Sequence, residues 1–179
     1  PLLLNADKSK LSKRQGDVAV EEYMKQGYLK EAIINYIALL GWNPGTNQEI
    51  FSLDELIREF SFDKVNKSGA VFSREKLYWM NGQYIRSMSS DVLLERAKSF
   101  FVGEGSSEYL DAVLKTVRER LKRLDEIPAL THFYFSEPEY EPSLLVWKKS
   151  DAEKTKLRLG RLFEYFSDYA SHWYEKELE

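Results

Sequence analysis

Beyond Asp17, every long apolar pattern in this chain repeats with the 3.6-residue period of an α-helix, and none sustains the two-residue alternation of a half-buried strand. The clearest case is Leu29, Ala32, Ile33, Tyr36, Ile37 and Leu40, widened by Ile34, Ala38 and Leu39 into a helix enclosed on several sides, which Gly41 ends before an Asn43-Pro44-Gly45 turn. A shorter helical pattern from Val18 to Gln26 precedes it, with Gly27 placed as a left-handed cap. Ser52 with Glu55 three residues on makes a capping box for a helix ending near Phe60. Ser73 opens a helix that sets Leu77, Met80, Tyr84, Ile85 and Met88 on one face, and Ser90 opens another through Phe100 and Phe101. Gly103 to Ser107 reads as a linker and the best domain boundary. After it, Leu110, Val113, Leu114, Val117, Leu121 and Leu124 form a further stripe, with Lys115, Arg118 and Lys122 on the opposite face. Ser150 and Glu153 form a second capping box before a long helix lined by Leu159, Leu162, Phe163, Phe166, Ala170 and Trp173. The pattern predicts a mainly α protein, with any strand confined to a few short segments near Leu2, where Leu2 to Leu4 should be ragged, and in the Thr131 to Trp147 region.

Composition narrows the chemistry. The 179 residues suffice for one large or two small domains, and the absence of cysteine excludes disulfides and thiolate-bound zinc. No apolar run reaches membrane-spanning length, since Asn35 interrupts the longest. The two histidines, His132 and His172, lie too far apart to form a hydrolytic or metal cluster, and the alternating Glu137, Glu139 and Glu141 read as a solvated acidic loop. The formal charge of −3 argues against a uniformly basic nucleic-acid binder, but the charge is segregated. Cations gather in Lys8 to Arg14, Lys115 to Arg123 and Lys148 to Arg161; acids gather in Glu137 to Glu141 and Tyr174 to Glu179. Such a surface can turn one side to a phosphate backbone.

The densest cationic motif is Lys10-Leu11-Ser12-Lys13-Arg14, followed by Gln15-Gly16-Asp17. Lysines so spaced can neutralise a polyphosphate, and Gly16 lets the loop bend. The motif is followed by Glu21-Glu22-Tyr23, Gly27-Tyr28, Ala32, Asn35-Tyr36 and Ala38-Leu39-Leu40-Gly41-Trp42. Further on stand Ile50-Phe51-Ser52-Leu53-Asp54-Glu55-Leu56, Ala70-Val71-Phe72, Lys76-Leu77, Trp79-Met80-Asn81 and Tyr84-Ile85. Together these residues closely resemble the bacterial-type glutamyl-tRNA synthetases, class I enzymes whose second signature loop reads KMSKS or KLSKR. The match is dense over the first half of the chain and looser beyond.

The resemblance implies a division into 1–17, a remnant of the catalytic domain with its KLSKR loop, 18–103, a stem-contact helical fold, and 104–179, the first anticodon-binding α-helical bundle. It implies that Lys10, Leu11, Ser12, Lys13 and Arg14 face ATP, Lys13 foremost, and that the parent enzyme uses ATP with Mg2+ to join glutamate to tRNA-Glu, with tRNA-Gln a second candidate. Position 1 is Pro and no HIGH-type motif is present, and by the resemblance Glu179 is expected to lie near where a second anticodon-binding subdomain would begin. A middle-to-C-terminal piece that is inactive alone, holds no bound cofactor or metal, and is monomeric and cytoplasmic is therefore the expectation. Lys67, Arg74, Arg86, Lys115, Arg118 and Lys122 are the candidate tRNA phosphate contacts, and Tyr165 and Tyr169 candidate base-stacking rings. The competing reading is a helical protein-interaction scaffold, because apolar stripes by themselves establish only packing.

Overall fold

The structure, a computed structural model, describes residues 2–11 and 19–169. Its elements run β1 (Leu3–Leu4), α1 (Val20–Lys25), α2 (Lys30–Gly41), α3 (Leu53–Glu59), β2 (Ala70–Val71), α4 (Arg74–Ser87), α5 (Ser90–Ala97), α6 (Ser107–Val117), α7 (Ile127–Thr131) and α8 (Ala152–Tyr169). The mainly helical expectation holds.

Several helix ends follow directly from the sequence. Ser52 accepts from the Glu55 amide at 3.2 Å while the Glu55 carboxylate accepts from the Ser52 amide at 2.7 Å, completing the capping box. Ser73 accepts from the Lys76 amide and starts α4. After α1, Gly27 adopts φ +80°. Its amide donates to Met24 O at 3.0 Å and the Tyr28 amide to Tyr23 O at 3.0 Å, a Schellman motif. The accompanying apolar contact is the edge-on pair of Tyr23 and Tyr28, with ring centroids 5.4 Å apart. Two caps sit one residue from their expected places. Ser89, not Ser90, is the N-cap of α5, and Asp151, not Ser150, caps α8 by accepting from the Lys154 amide at 2.8 Å.

The chain divides into two compact units, 1–137 and 138–179. The boundary expected at Gly103 to Ser107 does not separate units. Leu93 and Leu94 of α5 share one core with Leu110, Leu114 and Val117 of α6 and with Ala32, Tyr84, Leu121 and Ile127. Gly103 is held rather than hinged, because a Cβ there would lie 2.1 Å from Cγ of Phe135. Phe135 in turn packs on Phe101 and Tyr109, with ring centroids 5.8 Å away in each case. Two smaller clusters lie alongside, one of Tyr23, Tyr28, Ile33, Tyr36, Leu77 and Met80, the other of Trp42, Phe51 and Leu56.

Three further expectations are corrected. Leu2 to Leu4 is not ragged: β1 pairs in parallel with β2, Leu3 opposite Ala70 and Leu4 opposite Val71, and Leu4 also bridges antiparallel to Lys10. Strand is not confined to the neighbourhood of Leu2 and to Thr131 to Trp147, because β2 forms at Ala70–Val71, where a parallel partner rather than local pattern makes it. The stripe from Leu110 to Leu124 is not one helix. After Val117 the Arg120 and Leu121 amides both close on Val117 O, at 2.9 and 3.1 Å, and the Glu126 carboxylate then accepts the Lys122 and Arg123 amides at 2.9 and 3.2 Å, so the helix ends while Leu121 and Leu124 stay buried. In 138–169, α8 leaves Leu159, Leu162, Phe163 and Phe166 exposed.

Candidate nucleic-acid interface

Of the signature loop, Lys10 and Leu11 are described; Ser12, Lys13 and Arg14 lie outside the described residues, as do the side chain of Tyr169 and all of His172. Lys10 closes a hairpin. The Leu11 amide donates to Leu3 O at 2.9 Å, and within the turn Asp7 accepts from both the amide and the hydroxyl of Ser9, at 2.9 and 2.6 Å. These bonds hold the Asp7 carboxyl below its ordinary range. Lys10 is exposed and Leu11 half-buried. The partner strand β2 is flanked by Lys67 and Arg74, both exposed, so the two-residue sheet sets three candidate cations along one short stretch of structure.

A second group forms where α4 ends. Gly82 is buried, and a Cβ at that position would stand 2.6 Å from Lys122 Cδ and 3.3 Å from Arg86 Nη1. The missing side chain is what lets the Lys122 stem and the Arg86 guanidinium lie together over the helix. Arg118 is turned inward instead: it donates to Arg86 O at 2.9 Å and to Met88 O, satisfying carbonyls at the C-terminus of α4. Lys115 pairs with Asp111 at 2.7 Å. The expected common face of Lys115, Arg118 and Lys122 is therefore not formed, because α6 stops at Val117. Tyr165 is exposed on α8, and His132 is exposed with Nδ1 3.2 Å from Ala129 O. Among the described residues no group of three His, Asp or Glu converges as a metal site.

Sequence reasoning missed the joint beneath this basic group. Asn81 is fully buried in α4. Its Oδ1 accepts from the Leu29 amide at 2.8 Å and its Nδ2 donates to Lys122 O at 2.6 Å and Gly27 O at 3.4 Å. The Leu124 amide also donates to Gly27 O, at 3.2 Å, so the α1–α2 turn, α4 and the segment carrying Lys122 are tied at one point. Around it, Arg123 stacks over Tyr28 and Tyr78, 5.6 and 6.0 Å from their centroids. Burial and the acceptor Glu126 push the Tyr78 hydroxyl up to about 12. The available signal was Asn81 four residues after Leu77, a polar side chain on the apolar face of α4. A second missed contact is the bidentate pair of Arg96 with Glu31, both bonds 2.8 Å, joining α5 to α2.

The first 79 residues match the family model for class I tRNA synthetases (E and Q), catalytic domain, and residues 92–179 match that for the anticodon binding domain. The chain is 41% identical over 197 aligned residues to the glutamate–tRNA ligase of Chlorobaculum parvum, with the whole chain covered. The chain is similar to glutamate–tRNA ligases along its whole length. The glutamate–tRNA ligase of Clostridium botulinum is 44% identical over 83% of the chain. Among solved structures, the glutamate tRNA ligase of Elizabethkingia meningosepticum in complex with its amino acid superposes with TM-score 0.76 and 32% identity, covering 96% of this chain and 38% of that one. The chain spans 39% of the Chlorobaculum ligase and 31% of the Clostridium one. The two matched segments meet between residues 79 and 92, and the Asn81 joint ties them together. No helix among the described residues is long and apolar enough to cross a membrane.

Proposed function

We propose that this chain is the tRNA-facing part of a glutamate–tRNA ligase whose parent enzyme uses ATP to attach glutamate to tRNA-Glu. The supporting observation is the similarity to such ligases through both a catalytic and an anticodon-binding segment. Residues 1–17 carry the signature loop, 18–103 the stem-contact fold, and 104–179 the first anticodon-binding subdomain. A monomer working in the cytoplasm, with tRNA-Gln as a second acceptor, fits the same reading.

Lys10, exposed at the end of its hairpin, fits a polyphosphate contact, with Lys13 three residues on. ATP with Mg2+, when bound, supplies the adenylyl group that activates glutamate. The contribution of the two lysines is fixed positive charge beside the phosphates, aimed at charge that grows as the reaction proceeds. In the parent enzyme Lys13→Ala should slow activation about 100-fold, the scale of one lost charge partner.

For RNA, Arg86 and Lys122 beside one another over Gly82, together with Lys67 and Arg74, are the phosphate contacts. Lys115 and Arg118 are committed to Asp111 and to backbone carbonyls and contribute less. The exposed apolar row of α8 favours a second reading, a protein-interaction scaffold. Filter binding distinguishes them. A tRNA-binding module retains cognate tRNA over random RNA of equal length and loses affinity steeply with salt, whereas a scaffold shows neither behaviour.

A further inference from the structure

Beside α2, the loop that leads to α3 and the start of α4 enclose a cleft of about 500 Å³. Its apolar lining includes Leu39, Leu40 and Met80. Its lining also carries four carboxamides, Asn43, Asn47, Gln48 and Asn66. The charged lining residues, Glu49 and Lys76, are turned on each other in an ion pair, and the Lys76 ammonium lies 4.4 Å from the Trp79 ring centroid. The cleft therefore offers little net charge to a phosphate or an acid. It suits a flat ligand with apolar faces and an edge of alternating donors and acceptors, the description of a nucleobase.

The amides differ in what they are free to do. Gln48 Nε2 donates to Ile50 O at 3.0 Å and Asn43 Oδ1 accepts from the Gly45 amide at 2.9 Å, so these two hold the loop. The side chains of Asn47 and Asn66 have no such role among the described residues. A carboxamide places one donor and one acceptor side by side, the complement of the adenine edge, whereas guanine is typically read by an unpaired Arg or Lys. Lys67 and Arg74, both exposed, directly follow the lining residues Asn66 and Ser73 and set cations beside the cleft.

We propose that this cleft binds a nucleobase, adenine in preference to guanine, presented by an unpaired residue of bound RNA. The source of the base rests on the RNA-binding reading; the chemistry of the cleft does not.

The test uses the full 179-residue chain and two kinds of probe. In the first, tRNA carrying 8-azidoadenosine at unpaired positions is photocrosslinked to the chain and the adducts are mapped by mass spectrometry. The expected result is adducts on the 39–49 and 66 side chains, reduced about tenfold by the double change Asn47→Ala, Asn66→Ala, the scale of one lost bidentate pairing. An unchanged melting curve for the double variant shows that it folds. Adducts confined to other surfaces while the RNA remains bound overturn the cleft assignment and leave the RNA-binding reading standing. In the second, AMP and GMP are titrated while the backbone amide signals of residues 47 and 66 are followed by NMR. If RNA does not bind at all, the RNA-binding reading falls and this titration decides alone: shifts with AMP at lower concentration than with GMP uphold a nucleobase cleft, and no shift with either overturns it.

Discussion

Asn81 and Gly27 each hold contacts that no other side chain could supply. Replacing Asn81 by Leu keeps the branching at Cγ but strands the Leu29 amide and the Lys122 carbonyl, while Gly27 O keeps the Leu124 amide. It should cost at least about 3 kcal/mol, read as a shift of the denaturant midpoint. Gly27→Ala meets two obstacles, a positive φ and a backbone nitrogen, that of Leu124, 2.5 Å from the new Cβ. More than about 2 kcal/mol should be lost, above the usual cost of the φ mismatch alone. Glu31 makes a pH prediction. Its hydrogen bonds from Arg96 hold the carboxyl below the ordinary carboxylate range. A carboxyl whose pKa is lower folded than unfolded stabilises the fold above the unfolded value, and that contribution is lost as pH falls through the folded one. The parent chain should therefore be more stable than Glu31→Gln at neutral pH, and the two should converge in acid below the ordinary carboxylate range. A gap that stayed constant down to acid pH would assign the difference to packing.

At the scale of elements, the C-terminus of α4 depends on a side chain from beyond α6. Arg118 donates to the carbonyls of Arg86 and Met88, so Arg118→Ala should lower stability by about 1.5–3 kcal/mol, the worth of a charged hydrogen bond. Lys115→Ala removes only an exposed pair with Asp111 and should stay within about 0.5 kcal/mol. Thermal melts of the two variants side by side check the contrast, and equal melts would mean that Arg118 does not cap α4. Periodicity cannot distinguish a helix that runs to Leu124 from one that stops at Val117 with Leu121 and Leu124 still buried, since the apolar spacing is the same. The helix ends where two amides close on Val117 O and Glu126 accepts amides three and four residues before it.

For the whole molecule, RNA affinity should fall with salt in proportion to the phosphates neutralised. Arg86→Ala and Lys122→Ala should each lower the slope of log K against log salt by about one unit, and Lys115→Ala by much less. Filter binding across a salt series measures this directly; identical slopes for all three variants would dissolve the basic group as a contact. Gly82→Ala is a charge-neutral companion, because its Cβ displaces the Lys122 stem without removing a cation. It should weaken RNA binding by less than Lys122→Ala.

Much of the architecture was legible before any coordinates. The helical class, the Ser52–Glu55 box, the Ser73 cap and the Gly27 cap each depend on residues within a few positions of one another, and local hydrogen bonds decide them. The KLSKR motif and the residues after it likewise pointed to the family that the comparisons support. What the sequence left open depends on residues far apart. Asn35 looked like an interruption in an apolar stripe, yet it is buried, accepting from the Phe51 amide at 2.9 Å and the Tyr84 hydroxyl at 2.7 Å, while Ile34 and Ile37 face outward. The pairing of β1 with β2 spans more than sixty residues and only two positions on each strand, too short for any periodicity to announce. The closeness of Arg86 and Lys122 depends on Gly82, and the joining of the two segments that match different family models depends on Asn81. Local sequence chooses elements because their hydrogen bonds close within a turn or two. Tertiary structure alone chooses which polar groups are buried, because their partners are supplied by other elements.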